Sequence, residues 1–366
     1  MIRILHVVSI LDVGGMESYI MNMYRRIDRT KIQFDFLVHH KRRGFFEDEI
    51  EALGGHVYHA SLLDDFNLVK YIRFLRQLYA GEPQYRIVHG HLGSTAYWYL
   101  GQAKRMGIPW RILHAHCPGH TRTLKGYMKH LLFRFSPAFA NISFACSQQA
   151  GKYQFQERPF ELIPNGVDVE RFRFSQEKRE QMRSQLNLDG RFVVGHVGRF
   201  YYVKNHEYIL KVFAALKKKV PEAILLLLGE GMLQENIKQL AHEMQLDDSV
   251  RFLGLQSDCA PYYQAMDAFI LPSLYEGLPL AGIEAQCAKL PCFLADTMSP
   301  EARICPMTKF LSIAPDCVDQ WADELEKISR QTPDRNENTC DMSAFDVSVS
   351  TSNMIDRYQK LWESAL

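Results

Sequence analysis

Acidic residues are missing from one long stretch of this chain. Between Pro83 and Gln156 there is no Asp or Glu, yet nine Lys and Arg lie there: Arg86, Lys104, Arg105, Arg111, Arg122, Lys125, Lys129, Arg134 and Lys152. The whole sequence of 366 residues carries a formal net charge of only +1, so no global charge draws it to nucleic acid or membrane. The local excess points to an anionic partner for one region, unless the charges scatter over several faces. Cysteine pairing signals are missing too. The eight Cys include no Cys-x-x-Cys, and no His spacing completes a zinc site. Most are expected as small core residues in a reducing cytoplasm. No apolar run nears the roughly 20 residues of a membrane span. The chain opens on a strand with no charged leader or cleavage site, so no signal peptide is expected. Without a Gly-x-Ser-x-Gly, a serine-triad hydrolase is disfavoured. Gly14 and Gly15 lie short of a full G-x-G-x-x-G, so a dinucleotide fingerprint is absent.

What is present is a rhythm. Short runs rich in Val, Ile and Leu alternate with helix-length segments. Strands are expected at Arg3–Ser9, Phe34–Val38, Ile87–His89, Arg111–His114 and Ile142–Cys146. A second set falls at Val193–Val197, Ile224–Leu228, Val250–Leu253, Ala268–Leu271 and Cys292–Ala295. That is the βαβ signature of parallel sheets covered on both faces. The rhythm restarts at Val193, so two nucleotide-type domains are read, 1–170 and 171–345. The last helix, Ser352–Glu363 within 346–366, is expected to return to the first domain.

Glu276 and Glu284 carry the most chemistry. Glu276 lies in a polar turn after an apolar strand, and Glu284 lies inside the helix that opens near Pro279. Gly277 permits close backbone approach, and Pro279 suits a first helical position. The amides of Gly277, Leu278, Pro279's successor Leu280 and the helix dipole favour phosphate. Arg199 and Lys204, with Gly198, occupy the loop after Val197, where α/β sheets bind ligands, and two cations there can neutralise a diphosphate. A carboxylate for sugar hydroxyls, amides for phosphate and a second carboxylate for a ribose suit a nucleotide-sugar. Gly14 and Gly15 free amides after the first strand. His114 and His116 alternate at a strand end and are expected on opposite sides, with His116 the one facing the cleft. Residues 121–135 read as an amphipathic helix, with Leu124, Tyr127, Met128, Leu131, Leu132 and Phe135 on one face. Packing on its own sheet is the first expectation, and contact with an anionic membrane surface the second.

In these motifs, the chain resembles the GT-B glycosyltransferases of family 4, especially the exopolysaccharide type. The resemblance rests on Val13 to Ser18, His114 to His116, Ala145 to Ser147, Ile163 to Asp168, Gly198-Arg199 with Lys204-Asn205, Leu228 to Gly231, Arg251 to Gly254, and the E-x7-E of Glu276 and Glu284. It implies an α/β fold with two Rossmann-like domains facing a cleft, retention of configuration and no metal or other cofactor. The nucleotide-sugar, expected as a UDP-sugar, is the co-substrate. Arg199 and Lys204 would bind the diphosphate, Glu276 the sugar hydroxyls and Glu284 the ribose. The backbone at Arg251 and Phe252 would hold the base. His116, Gly14 and Gly15 would line the sugar and acceptor side. The implied partner is a lipid-linked or saccharide acceptor in cytoplasmic surface-polysaccharide synthesis, with no nucleic acid. A GT-B-fold UDP-sugar epimerase or hydrolase, or a non-catalytic sensor of nucleotide-sugars, is the alternative.

Overall fold

The computed structural model describes residues 1–65, 67–81, 84–116, 124–331 and 333–365, without the side chains of 63 and 124–129. Two compact units emerge, one of Met1–Gly166 with Ala344–Leu366 and one of Val167–Ser343.

Unit one is built on seven parallel strands: β1 (Ile2–Val8), β2 (Ile32–Val38), β3 (Val57–His59), β4 (Ile87–Gly90), β5 (Trp110–Ala115), β6 (Ile142–Ala145) and β7 (Glu161–Leu162). Their order is β3-β2-β1-β4-β5-β6-β7. Unit two has six: β8 (Val193–Val197), β9 (Ile224–Leu228), β10 (Val250–Phe252), β11 (Ala268–Leu271), β12 (Cys292–Ala295) and β13 (Thr308–Leu311). Their order is β10-β9-β8-β11-β12-β13. Both units are Rossmann-like α/β sheets, as the sequence predicts. Central strands such as β9 and β11 are fully buried, which is why they read as unbroken apolar runs. All strands run parallel, and the order in which they are added switches sides between β1 and β4 and again between β8 and β11. Ligands gather beyond the carboxyl ends of strands at such reversals.

Buried charge fixes the base of the second sheet. The Asp267 carboxylate accepts from Arg179, from Arg183 at 3.1 Å and from the Val193 amide at 2.7 Å. This ties the helix Gln176–Gln185 to the starts of β8 and β11. Losing one partner of such a buried pair costs about 3–5 kcal/mol. Arg335 is also buried, donating to the carbonyls of Ala288, Gln264 and Tyr263 and lying 4.0 Å from the Phe174 ring.

Several expectations are corrected. The last helix begins at Val347, not Ser352, because Asp346 caps it by accepting from the Ser348 amide at 2.7 Å. It lies within unit one, where the Trp110 indole donates to the Leu361 carbonyl at 2.6 Å. The helix Leu124–Phe135 leaves Leu131 and Phe135 exposed, so those two do not pack on the sheet. Leu124, Tyr127 and Met128 lie outside the described side chains. Cys146, Cys287 and Cys292 are buried as expected, but Cys305 and Cys340 form a disulfide. Two cysteines 35 residues apart give no local signal of pairing. Among the described residues, no helix is long and apolar enough to cross a membrane.

Candidate functional site

In unit two, the loops after β8 and β11 meet because those strands are paired, Val194 beside Ala268. Val203 accepts from the Leu274 amide at 2.8 Å, and the Asn205 side chain donates to the Pro272 carbonyl at 3.2 Å. These bonds bring together two sequence-predicted groups 72 residues apart. The Lys204 ammonium lies 2.5 Å from Glu276 Oε1, with both side chains about one-fifth exposed. The sequence reading assigned them to different parts of a ligand. In the structure their charges neutralise each other.

Close backbone packing supports the cation. The Lys204 stem lies 3.2 Å from where a Cβ on Gly198 would be. Gly229, at φ +131°, sets its own Cβ position 2.2 Å from the Gly198 carbonyl. No side chain fits between these two turns. Arg199 is half-buried in the same loop.

Beyond Glu276, Gly277 to Leu280 are buried and the helix Leu280–Cys287 begins. Pro279 is its cap rather than its first residue, so the helix starts one residue later than the sequence reading placed it; the Pro279 carbonyl accepts from Gly282 and Ile283 at 2.9 and 3.1 Å. A helix start of this kind presents amides and a positive dipole end to an anion. Glu284 sits one turn in, accepting a hydrogen bond from Tyr263 at 2.9 Å. Burial raises its pKa to about 7, against the opposing pull of the Tyr263 hydroxyl and the Arg171 cation. Arg251 points its guanidinium at the carbonyls of Leu186 and Asn187. Its side chain is thus occupied within the chain, and the backbone alone is left for the role expected of it. Phe252 is half-buried, its ring 6.0 Å from that of Phe200.

In unit one, Gly14 caps the helix Gly15–Tyr24 in an extended conformation, its carbonyl accepting from Ser18 at 2.8 Å. His116 follows β5 directly. Its ring and that of His114 are 4.1 Å apart. The two therefore share one side of the sheet, contrary to the expectation, since alternation puts residues i and i+2 on the same face. Sequence reasoning also missed their neighbours, His6 on β1 and His89 and His91 at β4. Register pairs His6 with His89, and His89 stacks against His91 at 4.4 Å. The repeated His-x-His at two strand ends, 89/91 and 114/116, was the available signal. Burial holds all five pKa values below the usual range, His6 and His116 down to about 3.

Two triads of ring nitrogens, His6/His89/His91 and His91/His114/His116, lie within 4.8 Å of one another. Metal ligation needs lone pairs that converge on one point. Here two of the nitrogen pairs point at each other instead, His6 Nδ1 to His91 Nε2 at 3.0 Å and His91 Nδ1 to His116 Nε2 at 2.9 Å, which engages those lone pairs in ring-to-ring hydrogen bonds.

The description "Glycosyl transferases group 1" matches residues 177–339, and "Glycosyltransferase Family 4" matches residues 13–171. A relative named for glycosyltransferase activity, EpsF of Bacillus subtilis (strain 168), is 32% identical over 81% of this chain and 80% of its own length. A UDP-Gal:alpha-D-GlcNAc-diphosphoundecaprenol alpha-1,3-galactosyltransferase of Escherichia coli is 24% identical over 98% of this chain and 95% of its own. Anabaena HepE, solved with UDP and glucose, shares the fold at TM-score 0.78 and 16% identity, over 98% of this chain and all of that one. These matches and the strand–turn–helix geometry agree: the chain belongs to glycosyltransferase family 4.

Proposed function

We propose that this protein is a retaining, metal-independent hexosyltransferase that moves a hexose or N-acetylhexosamine from a UDP-sugar to a lipid-linked or saccharide acceptor. The observation that carries this reading is the Lys204–Glu276 pair at the mouth of an amide-lined turn, with Glu284 behind it. In this reading, Arg199 and Lys204 bind the diphosphate, Glu276 takes sugar hydroxyls, and the amides near Gly277 to Leu280 meet sugar and phosphate. Glu284 holds the ribose, and the backbone at Arg251 and Phe252 holds the base. His116, Gly14 and Gly15 line the sugar and acceptor side.

The residues fit a mechanism that is mostly electrostatic. The bond from the sugar's C1 to the diphosphate breaks first. Arg199 and Lys204 stabilise the charge that gathers on the leaving oxygen. That oxygen then takes the proton of the acceptor hydroxyl, which attacks the same face. Binding aligns the two reactants and supplies much of the remaining advantage. The nucleotide-sugar is a co-substrate, and no resident cofactor enters the steps.

The named activity of the E. coli relative supports a UDP donor and a lipid-linked acceptor, and the UDP and glucose held by HepE support the donor class. Surface-polysaccharide synthesis at the inner face of a membrane follows from that acceptor class. Exposed Leu131 and Phe135 around exposed Arg134 support contact with anionic lipid there. Arg86 and Arg111 do not contribute: one lies over Trp362 and the other donates to the Phe139 and Ile108 carbonyls.

A thermal-shift screen against nucleotide-sugars identifies the donor, and transfer is then measured with Lys204→Ala. A fall of roughly 10²- to 10³-fold is expected. Transfer near the wild-type rate refutes the assignment. Co-sedimentation with anionic vesicles should exceed that with neutral ones and weaken with salt, and equal binding to both refutes the membrane contact.

A further inference from the structure

We propose that Gln286 is a positioning residue for the donor-site helix and that the Cys305–Cys340 disulfide sets how firmly it holds, so that reduction weakens nucleotide binding. The nucleotide half of this inference rests on the transferase reading above, while the brace does not.

The helix Leu280–Cys287 carries Glu284 and follows the amide-lined turn. Successive helical residues lie about 100° apart, so Glu284 and Gln286 project to nearly opposite sides. The Tyr263 hydroxyl holds Glu284 on one side at 2.9 Å. Gln286, fully buried, holds the other. Its Nε2 donates to the Gly282 and Ala302 carbonyls at 3.0 and 2.8 Å. Its Oε1 accepts from the Ile304 and Cys305 amides at 2.9 and 3.0 Å, and from the Thr308 hydroxyl at 2.8 Å. One side chain thus joins the helix to the link between β12 and β13. A buried polar network of this kind is rigid while every member is satisfied.

Cys305 is both a partner of Gln286 and one end of the disulfide. Its sulfur lies 3.5 Å from the Gln286 carbonyl oxygen, and that of Cys340 lies 3.9 Å away. The disulfide therefore sits on the last turn of the helix. The chain leading to Cys340 wraps the same end. Arg335 donates to the Ala288 carbonyl at 2.9 Å, and Asn338 donates to that of Lys289 at 3.2 Å.

Bonded sulfurs sit closer together than two thiols can. Cys305 is 1% exposed, in an interior that is close-packed. Its thiol must displace neighbours on reduction, and the bonds to Gln286 are among the first affected. Cys340 is only half-buried and is the accessible sulfur. A dithiol attacks it as the thiolate, and the Cys305 sulfur leaves with the bonding pair and takes a proton. The second thiol then closes the reductant into a cyclic disulfide and releases Cys340 as a thiol. Two electrons and two protons pass from the dithiol to the protein. The helix is then pinned firmly at Tyr263 alone, and Glu284 loses its fixed relation to the amides of Gly277 to Leu280. Such coupling is reciprocal, so a nucleotide that favours the braced state resists reduction by the same factor.

The test equilibrates the full-length protein in mixtures of reduced and oxidised dithiothreitol, with and without saturating UDP. Alkylation and mass spectrometry count the two thiols, and calorimetry measures UDP affinity. Affinity should fall roughly 5- to 10-fold in the reduced, folded protein. Saturating UDP should raise the dithiothreitol ratio for half-reduction by the same factor. Gln286→Met keeps the volume and the disulfide but loses the network, so both effects should vanish. Equal UDP affinity in the two states of the wild type overturns the proposal, as does a half-reduction ratio indifferent to UDP, even if Gln286→Met fails to fold. So does a folded Gln286→Met that responds like the wild type, or free thiols at both positions under oxidised dithiothreitol. Without nucleotide, the Ile304 and Cys305 amides should exchange hydrogen faster after reduction. Faster exchange in a protein that binds no nucleotide in either state supports the brace and overturns the transferase reading instead.

Discussion

Replacing Glu284 with Gln should make the protein more stable and a poorer binder of nucleotide at the same time. Burial raises Glu284 from its ordinary 4.5 to about 7. A carboxylic acid whose folded pKa is raised binds its proton more tightly in the folded state. Stability is therefore greatest below pH 4.5, declines as pH rises from there, and has lost its full amount above about pH 7. Each pH unit of displacement is worth about 1.4 kcal/mol, so the ionised carboxylate costs at most about 3 kcal/mol at pH 8 and about 1 kcal/mol at pH 5. Glu284 is half-buried rather than sealed, and solvent screening brings the value at pH 8 nearer to about 2 kcal/mol. Glu284→Gln keeps the shape and still accepts from Tyr263, but carries no charge to desolvate. Urea unfolding of both proteins at pH 5 and pH 8 isolates this one group, because every other titrating residue is common to both. The variant should gain about 2 kcal/mol at pH 8 and little at pH 5. Its affinity for UDP at pH 8 should fall roughly 10- to 100-fold, since a hydrogen bond to a charged group contributes about 1.5–3 kcal/mol. A variant less stable than wild type at pH 8, or a difference that does not change with pH, refutes the reasoning.

Three further substitutions follow from the same unit. Cys305→Ser opens a covalent loop of 35 residues, so reduction or substitution should lower unfolding stability by about 3–4 kcal/mol; equal denaturation midpoints with and without reductant contradict this. Gly229→Ala forces a Cβ into the Gly198 carbonyl at a φ of +131° and should cost about 3 kcal/mol or more, with nucleotide affinity falling alongside because Gly198 underlies Lys204. Gly190→Ala, at φ +68° with open space around it, should cost only about 1 kcal/mol, and a cost as large as that of Gly229→Ala argues against the clash.

The fold was legible where burial is complete. β8, β9, β11 and β12 match the runs read from sequence at both ends, because strands covered on both faces are built mainly from apolar residues. β3, β7 and β13 escaped notice. They are short and lie at sheet edges, and half-exposed residues such as Val57, Tyr58 and His59 give no such run. Lys204 and Glu276 were each visible as chemistry, but their direct contact depends on the pairing of β8 with β11, which no local pattern encodes. The histidines show the opposite failure. Their spacing was plain, but i and i+2 were assigned to opposite faces, and His6 lies 83 residues before His89 with only the sheet register to join them. Glu284 was read as a charged ligand for ribose. Its half-protonation near neutral pH comes from burial contributed by the whole unit, and a sequence does not display that.

In the proposed donor site, the mutual neutralisation of Lys204 and Glu276 makes a lock with two coupled keys. A diphosphate that takes the lysine leaves the glutamate as a lone anion beside phosphate oxygens, a repulsive arrangement. A sugar bearing hydroxyls answers that anion with hydrogen bonds, so the intact donor satisfies both groups and the spent nucleotide satisfies one. On the same proposal, Glu276 competes again for the lysine once the sugar has left, which weakens the hold on the nucleotide. Under the proposed roles, the same 2.5 Å contact makes the site hold intact donor in preference to spent nucleotide, and so lessens product inhibition.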